Sequence, residues 1–364
     1  MNQSGQTLRA RLRDHFAFVR GHKRLAAGLV LLATFYLAAL VADFLAPYDY
    51  RAQSRLEPMA PPASLHFRDA QGDWHLRPFV YGQRLVDPLT RSYVEDTTRV
   101  YPLAFFVHGY AHKFLGIFPT TLHLFGVREA GQGSASHVYL LGTDALGRDR
   151  FSRLLIAARF SLLVGPLGTL LASALGILLG CLAGYGGRVM DTLLMRAADV
   201  MMALPTLVLV LAARATFPLE LPPLRAGLML IVIFVAVGWA EMARLTRGQV
   251  LGLREREFVL AAYSLGLSPP RVLWRHILPN MSRPLLVQVT LMIPAFLLAE
   301  TALSYLGVGL QEPEPSWGNL LSAAGDLTLL QAQPGVVLAP ALAIFVFVLG
   351  VRLVGDGLQR LKLR

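Results

Sequence analysis

The chain has 364 residues, of which 54% are hydrophobic and only 16% charged, against roughly 25% charged in a soluble domain. Its long apolar runs place it among polytopic membrane proteins, and its single cysteine, Cys181, excludes a disulfide framework and a cysteine-built metal site. The net charge of +11 is almost all arginine and flanks apolar runs, which fits orientation in a bilayer better than a grip on nucleic acid.

In chain order, a basic tail (residues 1–24, with Arg9, Arg11, Arg13, Arg20, Lys23 and Arg24) leads into a first span, Leu25–Ala46. That run is long and has no convincing small-residue cleavage site, so it is expected to stay as an anchor. Five further runs approach the ~20 apolar residues that a bilayer demands. They are Leu162–Tyr185, Val200–Phe217, Ala226–Ala243, Leu285–Leu303 and Val336–Val354. The expected fold is all-α, with six transmembrane helices and a small extracytoplasmic insertion containing β structure.

Arginine and lysine set the orientation. The basic tail, the Gly186–Ala197 loop, the seven arginines between Arg244 and Arg283, and the C-terminal tail (residues 359–364) fall on one side of six spans. By the positive-inside rule that side, with both termini, is cytoplasmic. The long segment before the second span is then outside.

Residues 47–139 are too many for a connection and predict a small folded insertion. Within it, RVYPLAFFVHGYAHKFLGIFPTTLHLFGV (Arg99–Val127) mixes β-branched and aromatic residues with turn signals and predicts several short strands. EAGQGSAS (Glu129–Ser136) predicts a flexible loop. Residues 140–161 follow, with Phe151, Leu154, Leu155, Ala158 and Leu162 on one helical face. This predicts an amphipathic helix at the outer interface, with Asp149 and Arg153 spaced for an i,i+4 pair. GTDALGRD, with Gly142, Thr143, Asp144, Gly147, Arg148 and Asp149, is glycine-rich. It lacks the lysine of a P-loop, and no GK[ST] occurs in the chain, so ATP is not expected to bind by that route.

In the second span Ala172, Gly176, Gly180 and Gly184 recur every four residues and make a flat stripe for close helix packing. Pro205, Pro294 and Pro340 lie in or at the ends of later spans. They serve either a moving bundle or ordinary kinks in a static one. Glu241 and Arg244, one turn apart, are expected to pair. Glu300, in LLAETALSYLG, is a candidate for the translocation path because an ionisable group inside a span is costly. The competing reading is a protonated or hydrogen-bonded packing residue.

Between the fourth and fifth spans, EFVLAAYSLGLSPPRVLWRHILPN (Glu257–Asn280) turns basic and places a glycine and two prolines mid-stretch. REREFVLAAYSLG favours a helix, Gly266 its left-handed stop, and Ser268 with Pro269 the start of the next. RVLWRHIL then predicts a short basic helix ending at Pro279. Two short helices across a turn make a knob able to pass a push from a partner into the bundle.

This segment resembles the cytoplasmic signature loop of ABC-importer permeases, through Ala261, Ala262, Gly266, Leu278 and Pro279. Trp239–Val259, Arg275–Asn280, GTDALGRDRFSRLL, Met195–Leu207, AETALSYLGVGLQEPEPSWGNLL and GDGL resemble the C-type subunit of the dipeptide, oligopeptide and nickel branch. The resemblance runs from about Leu140 to Leu358 and takes in the N-terminal anchor. It implies the type I importer permease fold and a non-catalytic transport subunit of the bacterial inner membrane. Its implied core is residues 162–358, with a coupling loop at 254–283. It also implies a second, different permease subunit, an extracytoplasmic substrate-binding protein, and two ATPases that hold ATP and Mg. No cofactor or metal is expected on this chain, and no nucleic acid partner.

The sequence departs from the family at three places. Leu260 stands where the signature has Glu, so Glu257, one turn earlier, is expected to substitute in part. Tyr263 stands where a basic residue is common, and Ala157 replaces a usual Gly before the second span. The insertion, roughly Arg51–Gly133, is longer than in typical members. Three other readings stay open: a membrane enzyme with a metal at His108 and His112 of HGYAH, a proton-driven carrier with Glu300 as relay, and a structural or docking role for the insertion, expected near the substrate entrance and against the binding protein or the partner permease.

Overall fold

The computed structural model describes residues 23–87, 91–127, 137–218, 221–325 and 327–360. Most of the basic tail, the Glu129–Ser136 loop and residues 361–364 of the C-terminal tail lie outside the described residues. The chain divides into two compact units, one of residues 1–33, 162–303 and 345–364, the other of residues 34–161 and 304–344.

The first helices are α1 (Lys23–Leu40) and α2 (Ala42–Leu45). Strands β1 (His66–Arg68), β2 (Trp74–Asp87), β3 (Ser92–Phe114) and β4 (Phe118–Val127) follow, then α3 (Arg150–Tyr185), α4 (Gly187–Ala203), α5 (Thr206–Ala215) and α6 (Pro223–Arg254). Next come α7 (Glu257–Ser264), α8 (Pro269–Val272), a π-helical turn (Leu273–Ile277), α9 (Leu278–Tyr305), α10 (Trp317–Leu321), a 3-10 turn (Ser322–Gly325), α11 (Leu327–Ala332) and α12 (Gly335–Arg360). Among the described residues five helical stretches are long and apolar enough to cross a membrane, or six if α4 and α5 count as one span.

The helical unit is built on close approaches. A Cβ added at Gly176 would lie 2.6 Å from the Trp239 carbonyl oxygen and from Met242 Cβ. At Gly180 it would meet the Ala243 oxygen at 2.5 Å, and at Gly184 Val250 Cγ1 at 2.5 Å. Ala172, fully buried, continues this stripe opposite Gly238. The small residues of α3 therefore let α6 come within backbone contact, where dispersion supplies the attraction that water expulsion cannot give in lipid. Phe234 of α6 stacks on Phe296 of α9 with ring centroids 4.8 Å apart. Arg247 grips Asp191 of α4 through two bonds of 2.5 and 2.6 Å. Arg244 pairs with Asp199 of α4 across the two helices, and no pair with Glu241 is seen among the described residues.

Two predicted boundaries shift. The third span, Val200–Phe217, is two helices bent by 90°. Pro205 has no N–H to continue α4, and the ring pushes Leu204 to an extended φ −102°, ψ 142°. The Gly186–Ala197 loop is the first part of α4. Conversely, the basic helix does not stop at Pro279. Helix runs from Pro269 to Tyr305, because the Leu278 N–H bonds back to the Leu273 oxygen in a widened turn. That wide turn accommodates the proline ring that follows.

In the other unit the strands form one antiparallel sheet in the order β1-β2-β3-β4. β2, β3 and β4 are long rather than short, at 14, 23 and 10 residues, while β1 has only three. β3 runs 23 residues without turning, pairing with β2 along its first half (Tyr101 opposite Val80) and with β4 along its second (Phe105 opposite Phe125). Register shifts at Tyr81/Gly82 and His108/His112 absorb its length. Val80, Tyr101 and Val138 form a small buried core.

Residues 140–161 also differ from the expected interfacial helix. α3 begins at Arg150 and continues without a break to Tyr185. Residues 140–149 are a tight loop. Asp149 caps the helix instead of pairing with Arg153: its carboxylate accepts from the Ser152 N–H at 2.8 Å and the Ser152 hydroxyl at 2.6 Å.

Candidate functional site

The segment after α6 folds as two short helices across a glycine turn. Gly266 has φ +82° and follows the last carbonyls of α7, its N–H bonding the Tyr263 oxygen at 2.8 Å. A side chain there would be strained whatever the space. Ser268 sits at the cap position of α8, with Pro269 inside its first turn, though its hydroxyl makes no cap bond.

Burial sorts the faces of this knob. Val259, Ala262, Val272 and Ile277 are buried. Glu257, Ala261, Gly266, Arg275 and Pro279 are exposed, and Leu278 is half-buried. Around them Leu265 is 81% exposed and Trp274 70%. Phe258 and Leu260 are also open. These large apolar groups form an exposed patch beside Arg271 and Arg275. The knob is also tied to α3: Arg254 Nη1 donates to the Gly184 oxygen at 3.1 Å, and the Tyr263 and Tyr185 hydroxyls meet at 3.4 Å.

In the same unit a cavity of about 620 Å³ opens between the α4–α5 bend, α6 and α9. Met201, Met202, Leu207 and Phe296 give it apolar walls, with Thr206 and Gln288 as polar points. Glu241 is its single ionisable lining residue among the described residues. Glu300 is fully buried and does not line this cavity, although its neighbours Ala299 and Ala302 do.

The GTDALGRD loop is a polar knot in the sheet-containing unit. Gly142 and Gly147 take φ of +71° and +74°. The Thr143 hydroxyl donates to the Glu57 carbonyl oxygen at 2.5 Å and accepts from the Ala60 N–H at 2.8 Å. Asp144 accepts from the Leu146 and Arg148 N–H groups and from Arg148 Nε at 2.6 Å. Arg148 and Arg153 share Glu312, at 2.6 and 2.8 Å. Arg153 is 1% exposed, a burial possible only because carboxylates meet its charge. Burial tends to weaken the charge of Arg148, but Asp144 and Glu312 raise its pKa overall. Burial also pushes the Asp149 carboxyl up to about 6, against the hydrogen bonds from Ser152.

Glu312 carries this knot, and sequence reasoning did not single it out. The visible signal was QEPEPSW, carboxylates bracketed by prolines ahead of a buried tryptophan. Trp317 Nε1 donates to the Leu154 oxygen at 3.3 Å, and Tyr50 and Arg51 both reach Glu314.

His108 and His112 do not converge. His108 Nδ1 lies 2.9 Å from the Thr121 hydroxyl, whereas the His112 ring lies against those of Tyr110 and His123. Burial lowers the pKa of His112, and neighbouring His123 adds to this. Among the described residues no three His, Cys, Asp or Glu side chains come together as a metal site.

Residues 176–362 match the model of the binding-protein-dependent transport system inner membrane component, and residues 12–62 that of the N-terminal TM domain of oligopeptide transport permease C. The oligopeptide transport system permease protein OppC of Bacillus subtilis is 38% identical over 60% of this chain and 69% of its own length. The dipeptide permease DppC of Alkalihalophilus pseudofirmus is 40% identical over 62% of this chain and 71% of its own. The di/tripeptide permease DppC of Pseudomonas aeruginosa is 40% identical over 61% and 70%. An inward-facing structure of the methionine ABC transporter MetNI overlaps 54% of this chain and 91% of its own at a TM-score of 0.38 and 16% identity. With half of its length matched by the family model, and with relatives at this level of identity, the chain belongs to the binding-protein-dependent transport system inner membrane component family and is a multi-pass permease subunit of an ABC importer.

Proposed function

We propose that this permease carries short peptides inward across the bacterial cytoplasmic membrane as one half of a heterodimeric path. On this reading there are six spans, both termini and the Glu257–Asn280 knob face the cytoplasm, and the sheet-containing insertion lies outside; the arginine-rich segments that share one side of such a bundle support it. An extracytoplasmic binding protein delivers the peptide. Two ATPases, holding ATP and Mg, receive the knob. The observation that carries this reading is the knob itself, an exposed apolar surface around Leu265 and Trp274 joined to α3 through Arg254 and Tyr263. A push on it moves α3, and through the close contacts at Gly176 and Gly180 it moves α6.

The cavity between the α4–α5 bend, α6 and α9 is the part of the path this chain supplies. Its apolar walls accept varied side chains, and Glu241 sits where a peptide's ammonium group would be attracted. Leu260 offers the ATPase no carboxylate, and Glu257, exposed at the start of α7, supplies one. The test is transport of a labelled tripeptide into proteoliposomes holding the complete complex. Uptake that requires ATP and the binding protein, and that a Leu265→Asp substitution abolishes, supports the reading. Uptake driven by a proton gradient without ATP refutes it.

A further inference from the structure

The sheet-containing unit holds a second cavity, of about 330 Å³, that the transport reading does not use. Its walls come from the 141–154 stretch, α10, the following 3-10 turn, α11 and the first turns of α12. Arg91, Arg148, Arg150 and Arg153 line it, against two carboxylates among the described residues, Asp144 and Glu312. Those two are already engaged by Arg148 and Arg153.

Arg150 is left over. It is 7% exposed, and its bonds go to neutral atoms, Gln333 Oε1 at 2.7 Å and Met59 Sδ at 3.5 Å. No carboxylate pairs with it among the described residues. A guanidinium carries five N–H donors, so donors remain after these two bonds. The buried Arg153 Nε likewise has no hydrogen-bond partner. A buried, uncompensated positive charge is costly unless an anion joins it. The rest of the lining, including Leu141, Leu154, Leu320 and Val336, is apolar. The cavity therefore presents cationic donors beside greasy walls.

We propose that this cavity binds a small organic carboxylate, with Arg150 pairing its oxygens and the apolar walls taking its body. Resting on the peptide-transport function proposed above, the ligand is the C-terminal end of an arriving peptide. Guanidinium and carboxylate match in geometry and form paired, charge-assisted bonds.

The test measures equilibrium binding to the purified full chain in nanodiscs of zwitterionic lipid. The probes are labelled pentanoate, a labelled tripeptide ending in leucine, and the same tripeptide as its C-terminal amide. Both acids are expected to bind, and the amide about 10-fold or more weaker, since charge-assisted bonds account for a factor of that size. Arg150→Gln should weaken both acids by a similar factor, while Arg150→Lys should recover only part of the binding, because an ammonium keeps the charge but not the paired geometry. If Arg150→Gln fails to fold, the acid-to-amide ratio on the unaltered chain decides. Arg150-dependent binding of pentanoate without the tripeptide supports the carboxylate site and refutes the peptide assignment. No binding of either acid, binding indifferent to Arg150→Gln, or displacement of pentanoate by phosphatidylglycerol but not by the tripeptide would each overturn the proposal.

Discussion

Replacing Gly180 by alanine tests whether α3 and α6 are held by backbone approach. In an open helix this change stabilises by roughly 1 kcal/mol, because glycine loses more backbone freedom on folding. At Gly180 the new methyl would sit 2.5 Å from the Ala243 oxygen and 2.6 Å from Thr246 Cβ, where ordinary contact starts at 3.4 Å. The two helices must part by nearly an ångström, and overpacking of this kind costs about 1–3 kcal/mol. The net expectation is a loss of up to about 2 kcal/mol. Gly248 and Gly252 lie on α6 with nothing within 4 Å of an added Cβ, so the same change there should give the helix-propensity gain alone. Thermal unfolding of the purified variants in one detergent reads the contrast. Gly180→Ala should lower the midpoint by a few degrees, and Gly248→Ala should leave it level or raise it. Equal shifts of the same sign at both positions would refute the close-packing account.

Asp149 makes stability depend on pH. Its carboxyl titrates near 6 in the folded chain against 3.8 when free, so folding favours the protonated form. The contribution is complete below about 3.8 and is lost as pH rises through 6. Asp149→Asn, which keeps an acceptor for the Ser152 N–H, should flatten stability between pH 4 and 7 in a detergent melting series. Glu312→Ala should cost about 2 kcal/mol or more, because the 1%-exposed Arg153 loses its nearest carboxylate; a melt unchanged from the parent would count against the knot. Glu241→Gln should raise the apparent KM for tripeptides with a free amino group and leave N-acetylated ones unchanged. Glu257→Ala should lower transport-coupled ATP hydrolysis in the reconstituted complex, and intact coupling would show that Leu260 needs no nearby substitute.

What the sequence disclosed follows from the range of each interaction. The four-residue spacing of Ala172, Gly176, Gly180 and Gly184 is a local pattern, and it fell on one face that meets α6. Gly266 was equally legible, since a glycine just past a helical run with proline downstream has one common use. Pro205 and Pro279 show the limit. Both are helix breakers on local rules, yet one produces a 90° bend and the other is absorbed by a wide turn; only the packing around each decides. The long β3 strand escaped notice because its two halves pair with different strands, a fact with no local trace. The arginine knot was missed for the same reason: Glu312 stands 159 residues from Arg153. On the sequence alone those arginines looked like the polar face of a surface helix.

The central claim is that this chain passes substrate as part of a larger importer driven from the Glu257–Asn280 knob. Its most direct test is to solubilise the tagged chain from its native membranes in mild detergent and identify what accompanies it. The account predicts a second, different permease and ATPase subunits, with the ATPases lost when Leu265 is replaced by Asp. Recovery of the chain alone, as a stable homo-oligomer without any ATPase, would contradict it.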